Sequence, residues 1–245
     1  VTGDKQAFDL DVVRDLSGMP KIPFGRTVAA GFDGARFKDS TAIVITDIET
    51  GVQQLYALWE RPLDVEEWEV DPLEVDAAVD TLMFTYNVWR WNGDPPHWLE
   101  SHATWAGKYP QVEEWFTHRA RAMAFANRDY QDSIRDGSIS FADDDTPALG
   151  SPIPGETMGD AFLRHIGNAG KRMVNIYDSG DENEAGEVAE HNNRGRQLFL
   201  LEKLHETRKF DACRAAIPSW QGRVDALRDE KLNATTTSTR VRRLR

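Results

Sequence analysis

"AAGFDGARFKDSTAIVIT" (residues 29–46) reads as an apolar strand, a tight turn and a second, β-branched strand. An aspartate, Asp33, stands where the first strand should be most buried. An unpaired buried charge is strongly unfavourable, so such a carboxylate has a partner or binds a metal. The apolar run begins at residue 27 ("TVAAGFD"), which suits a central strand covered on both faces. After the second strand "IETG" makes a turn, and "VQQLYALWERP" (residues 52–62) is the third strand of an antiparallel meander.

The pattern then alternates. Asp71 caps a helix whose first position is Pro72, with Val75, Val79, Leu82, Met83 and Tyr86 at helical spacing. Residues 88–92 form a strand that Gly93-Asp94-Pro95-Pro96 must terminate, because proline cannot continue a central strand. That puts Asp94 at a strand's carboxyl end. A helix over 97–110, a short strand "QVEEWF", a helix stopped by Gly137, a strand "SISFADDD" and a helix "TMGDAFLRHIGNAG" follow. "KRMVNIYD" and "RQLFLLEKL" read as a late β-hairpin around a polar, acidic loop (residues 179–195) expected to be mobile. The last helix starts near Asp211 and carries Pro218, a site for a bend. The fold class is therefore α/β, a mixed sheet of three meander strands plus further strands with helices on both faces. The expected organisation is a linker or lead-in over 1–26, one domain over 27–230 and a flexible basic tail over 231–245.

Composition narrows the chemistry. The net charge of −12 weighs against a general nucleic-acid coat, so any contact with nucleic acid must use a local basic patch or metal ions. A single cysteine, Cys213, excludes an internal disulfide and a multi-cysteine zinc site, and reads as a small buried apolar residue. No apolar run approaches the roughly 18 residues of a membrane span, and no membrane partner is expected. The first residues lack a secretory pattern and an initiator Met, which suggests a processed chain or an excised piece.

Three aspartates occupy positions where sites form in open α/β sheets: Asp33 on the first strand, Asp94 at the end of the fourth, and Asp211 at the start of the last helix. Like charges brought together demand a cation, and oxygen-only ligation selects Mg²⁺ or Mn²⁺. Two such ions can activate a water and stabilise the leaving oxygen of a phosphodiester. Against this, Asp211 also serves as a helix cap and Asp94 as a turn residue before proline. Asp39 is either an accessory ligand or an ion-pair partner of Arg36, and His165 either holds a carboxylate, approaches a phosphate or packs. Lys171, Arg172, Arg194, Arg196 and Lys203 cluster in the hairpin, either as a DNA-backbone track or as ordinary surface charge.

The order "GFDGARFKDSTAIV", "GDPPHW", "RHIGNAGKR", "KFDACRAA" resembles the nuclease domain of tailed-phage large terminases, most closely those of phages infecting actinobacteria, over roughly residues 8–228. The resemblance implies an RNase H-like fold, with Asp33, Asp94 and Asp211 as catalytic ligands of two Mg²⁺ or Mn²⁺ ions. Ala35 replaces a common serine, and Phe210 a usual aliphatic residue, without removing a ligand oxygen. The implied activity is metal-dependent endonucleolytic cutting of concatemeric double-stranded DNA during packaging, in the host cytoplasm. The implied partners are DNA, a packaging ATPase domain of the same polypeptide, the portal and the small terminase subunit. No GxxxxGK[ST] phosphate loop is present, which fits a C-terminal fragment. Two alternatives remain at this level: a recombination nuclease of the same fold, of the Holliday-junction resolvase type, and a non-catalytic module that docks the portal or grips DNA.

Overall fold

Alternation along β1 (Thr27–Gly34) organises the molecule. In a strand, successive side chains point to opposite faces. Val28, Ala30 and Phe32 join one apolar core, while Ala29, Gly31 and Asp33 turn to the other face. The computed structural model describes residues 5–37, 39–63, 65–176, 195–205 and 207–242, with 231–242 as backbone alone.

α1 (Leu10–Asp15) precedes β1, which continues into β2 (Ser40–Asp47) and β3 (Val52–Glu60) as the expected antiparallel meander. α2 (Pro72–Thr85) is capped by the Asp71 side chain, which accepts from the Leu73 N–H, with Pro72 at the first position. β4 (Asn87–Gly93) then pairs parallel with β1, so that Phe32 lies opposite Gly93. α3 (Leu99–Lys108), β5 (Val112–Glu114), α4 (Ala120–Asp136), β6 (Ser140–Phe141) and α5 (Met158–Gly167) follow. Gly137, at φ 72°, ends α4 in the left-handed conformation that glycine adopts without a Cβ clash. The six-stranded sheet has the order β5-β4-β1-β2-β3-β6. β7 (Ala169–Ile176) and β8 (Arg196–Lys203) form a separate antiparallel hairpin, and α6 (Asp211–Arg242) ends the described chain.

The two sheet faces bury different cores. α2 and α3 cover one, where Val75, Val79, Leu82 and Trp105 meet Phe32, Ile43, Ile45 and Trp91. Phe32 stands 5.3–5.8 Å, centroid to centroid, from Trp91, Trp98 and Trp105. α4, α5 and α6 cover the other. Small residues of α6 (Ala212, Ala215, Ala216, Ser219, Gly222, Ala226) recur every three or four positions and lie against the sheet. Polar bonds fix the helix there. Gln53 Nε2 donates to the Ala216 carbonyl (2.9 Å), Asn92 Nδ2 to the Pro218 carbonyl (2.9 Å), and Ser219 Oγ to the Ala29 carbonyl (3.0 Å). Cys213 is fully buried in this interface, and burial pushes its thiol far up.

Two expectations need correction. The lead-in over 1–26 is not a linker from Gln6 onward: Phe8 stacks edge-on against Tyr130 (5.3 Å) and Phe199 (6.4 Å), and the Ala7 N–H donates to the Ala169 carbonyl. Pro23 and Gly25 sit in a turn closed by a bond from the Arg26 N–H to the Pro23 carbonyl, next to the buried Ile22. The stretch 231–242, read as tail, continues the backbone of α6, since a helix already nucleated by packed residues propagates at little cost. In the run 143–145, Asp144 is buried, accepting from Gln54 Nε2 (3.0 Å) and the Thr146 N–H (3.0 Å). The expected mobile loop falls, but for Gly195, outside the described residues.

The far end of the meander supplies a stability test. The Asp47 carboxylate accepts from Arg26 (2.7 and 3.0 Å) and from the N–H groups of Glu49 and Thr50 (2.9 Å each). Burial alone would raise its pKa, but the Arg26 and backbone bonds prevail and hold it below the ordinary 3.8. A lowered folded-state value adds stability that is present above 3.8 and lost as pH falls through the folded value. Asp47→Asn is expected to lower stability at pH 7 by about 1–2 kcal/mol, allowing for solvent screening of the half-exposed Arg26. In urea titrations the gap to wild type should close as pH drops below 3.8. A gap unchanged at low pH would show that the charge contributes nothing.

Candidate active site

The register brings two acids together. Because Phe32 pairs with Gly93 in the parallel β1–β4 ladder, the next pair is Asp33 and Asp94, and the Asp94 N–H donates to the Phe32 carbonyl (3.1 Å). Asp33 shares its face with Ala29 and Gly31, which touch α6, so its carboxylate points to the start of that helix. Asp211 is the first residue of α6. Relative exposure is 3% for Asp33, 8% for Asp94 and 4% for Asp211, so the three acids are withdrawn from water together.

Their surroundings show the strain of that arrangement. Burial pushes Asp33 well above the usual carboxylate range; Arg214 opposes this, while the charges of Asp211 and Asp94 and a hydrogen bond with Asp211 push it further. Asp211 is likewise raised, by burial first and then by the charge of Asp39, against a Ser40 hydrogen bond and the nearby His165 and Arg214. Ser40 Oγ donates to Asp211 Oδ2. Thr117 holds Asp94 at both oxygens, its N–H donating to Oδ1 (3.3 Å) and its hydroxyl to Oδ2. Arg214, one turn into α6, places Nε 3.7 Å from Asp33 Oδ2 and Nη2 3.9 Å from Asp94 Oδ2, and donates to the Thr117 hydroxyl. Ser40, Thr117 and Arg214 were not singled out from sequence. The i,i+3 spacing of Asp211 and Arg214 in "DACR" was an available signal. Thr117 had none, because only folding brings its loop to Asp94.

The other predicted residues distribute differently. Asp39 does not pair with Arg36, which instead binds Glu69 (2.5 Å); Asp39 lies between Lys203 and Lys209, the latter at 2.9 Å. His165 is fully buried and accepts at Nδ1 from the Ala212 N–H (3.1 Å). A neutral ring accepting at Nδ1 carries its proton on Nε2, which faces Glu60 Oε1 at 3.3 Å. His165 therefore secures the turn that carries Asp211. Arg164 beside it donates to Glu60 and to Glu156 (2.7 Å), completing a buried ion-pair network. In the hairpin, Arg172 opposes Leu200 and Arg196 opposes Ile176 on one face, while Lys171 opposes Leu201 and Lys203 opposes Ala169 on the other. The basic residues thus divide between two faces. Arg194 lies outside the described residues.

Among the described residues, no group of three or more His, Cys, Asp or Glu side chains has metal-holding geometry. The donor chemistry nonetheless fits a hard divalent cation: the acids offer oxygen alone and are buried, and the charges of Asp211 and Asp94 raise the proton affinity of Asp33.

No protein-family model matches the sequence, and no curated protein matches it. Solved structures do match. The large terminase of bacteriophage HK97 superimposes with a TM-score of 0.59 at 16% identity, over 88% of this chain and 43% of that one. The large terminase nuclease of thermophilic phage G20c superimposes with a TM-score of 0.54 at 10% identity, over 89% of this chain and 98% of that one. The fold is that of a large-terminase nuclease domain. The G20c nuclease with bound magnesium gives a TM-score of 0.52 at 12% identity, over 89% of this chain and 97% of that one. The terminase nuclease fold accounts for the meander, the parallel strands and the additional hairpin. This chain spans less than half of the HK97 terminase. Among the described residues, no helix is long and apolar enough to cross a membrane.

Proposed function

We propose that this chain is a metal-dependent DNA endonuclease, the nuclease part of a large terminase subunit that cuts concatemeric viral double-stranded DNA during genome packaging in the host cytoplasm. The observation that carries the reading is the burial of Asp33, Asp94 and Asp211 at one point of a terminase nuclease fold. Three carboxylates withdrawn from water at one end of the sheet are costly to a protein that only docks, and useful to one that binds cations. The G20c nuclease of this fold has been solved with magnesium and with cobalt, which supports a divalent ion here.

Asp33, Asp94 and Asp211 would hold the cations, which we take to be two Mg²⁺ or Mn²⁺. When bound, such ions lower the pKa of a water and stabilise the leaving oxygen of a phosphodiester. The chain's own residues orient the ligands. Thr117 fixes both oxygens of Asp94, Ser40 fixes one oxygen of Asp211, and His165 secures the backbone that follows it. In the hairpin, Arg172 and Arg196 are exposed on one face and are the pair suited to phosphate contact. The remaining partners in this reading are a packaging ATPase domain of the same polypeptide, the portal and the small subunit.

Plasmid digestion tests the proposal. We expect nicking and cutting with Mn²⁺, less with Mg²⁺, and none with Ca²⁺ or EDTA, because Mg²⁺ demands near-ideal octahedral geometry. Cleavage that persists in EDTA would exclude the metal mechanism. Preference for Holliday junctions over linear duplex would favour a recombination nuclease.

A further inference from the structure

Arg214 belongs to the same helix as Asp211 and reaches back into the acid cluster. Its distances of 3.7 Å to Asp33 and 3.9 Å to Asp94 exceed the roughly 2.7–2.9 Å of a charge-assisted hydrogen bond. The guanidinium lies between two carboxylates and is locked to neither; its short bond goes to the Thr117 hydroxyl, which also serves Asp94. The side chain is 32% exposed, against 5% for Asp33 and 11% for Asp94, so it enters the cluster from the solvent side. A divalent cation held by these two strand-end acids would meet the charge of Arg214 beside them.

Resting on the function proposed above, we propose that Arg214 is the internal counter-ion of the carboxylate cluster, neutralising Asp33 and Asp94 in the metal-free protein and competing with the divalent cation for them. Metal entry then requires the guanidinium to withdraw from both carboxylates. Two consequences follow. Arg214 keeps the metal-free cluster from repelling itself apart, and it weakens metal binding by the work of displacing it. A unit charge about 4 Å from the acids, near a protein surface, is strong enough to change affinity tenfold or more.

The test uses the protein without DNA and reads Mn²⁺ binding by titration calorimetry, with thermal unfolding in EDTA and in saturating Mn²⁺. Arg214→Gln is expected to bind Mn²⁺ about tenfold or more tightly than wild type. It should melt lower in EDTA and regain most of that loss in Mn²⁺, whereas a merely structural arginine would cost the same in both. Arg214→Lys keeps a charge but loses the fork that spans Asp33, Asp94 and Thr117, and should bind Mn²⁺ with intermediate affinity. If the glutamine variant does not fold, the lysine variant decides alone. Mn²⁺ binding equal to or weaker than wild type in the folded variants overturns the counter-ion. Absence of Mn²⁺ binding in wild type and variants alike overturns the metal reading and the counter-ion with it.

Discussion

Asp33→Asn, Asp94→Asn and Asp211→Asn are each expected to lower plasmid cleavage more than about a hundredfold, beyond the roughly 10- to 100-fold cost of losing an outer-shell partner of a metal. Asparagine keeps the shape of the side chain and removes the charge that binds a cation. The structure adds a second expectation. Burial and like charges already disfavour ionised Asp33 and Asp211, so removing either charge in EDTA should leave the protein as stable as wild type or more so. Wild type should gain thermal stability from Mn²⁺, since a ligand that binds only the folded form stabilises it, and the variants should lose most of that gain. Asp39→Asn is the control. Its carboxylate is engaged by Lys203 and Lys209, so cleavage should fall only in part. Wild-type cleavage by any one of the three variants would remove that aspartate from the mechanism. A sharp loss of metal-free stability in all three would assign them to caps and ion pairs.

Gly31→Ala is expected to be strongly damaging, because of what it would do to the helix that carries Asp211. A Cβ at this position would stand 1.9 Å from the Ala215 carbonyl oxygen and 2.7 Å from the Ser219 nitrogen. Both are backbone atoms of α6, so no side-chain rotation relieves the clash and the helix itself must move. We expect a loss of about 3 kcal/mol or more, at the top of the range for overpacking. For a chain of this size that is a fall in Tm of roughly 10 °C. Whatever folds should also cut poorly, because α6 carries Asp211, and a shift of about 1 Å at a reacting centre can cost about a hundredfold. Gly107→Ala is the matched control. Nothing lies within 4 Å of its Cβ position on the exposed face of α3, so the change should be neutral or stabilise by about 0.5–1 kcal/mol. Calorimetry on the two variants checks the contrast, and equal melting temperatures would mean that α6 can move away from β1 without cost.

The sequence by itself determined the elements and their order, because each depends on near neighbours along the chain. The continuous apolar run in "TVAAGFD" makes a strand buried on both faces, Asp71-Pro72 starts α2, and Gly137 stops α4. The positions of Asp33 on the first strand and Asp94 at the end of the fourth followed from the same local reasoning, with Pro95 and Pro96 closing β4; that the two strands are neighbours came only from the parallel pairing of β1 with β4. The pairings that build the site were not legible in this way. Ser40 meets Asp211 across 171 residues, Arg214 meets Thr117 across 97, and Lys203 meets Asp39 across 164. Charge alone favoured Arg36 as the partner of Asp39, and nearness in sequence put five basic residues into one patch. Strand register divided that patch between two faces, and the docking of α6 on the small side chains of β1 chose the partners. Periodicity records which side of an element is buried, whereas the contact between two buried sides depends on how closely their backbones approach, and here Gly31 and Ala215 decide that distance.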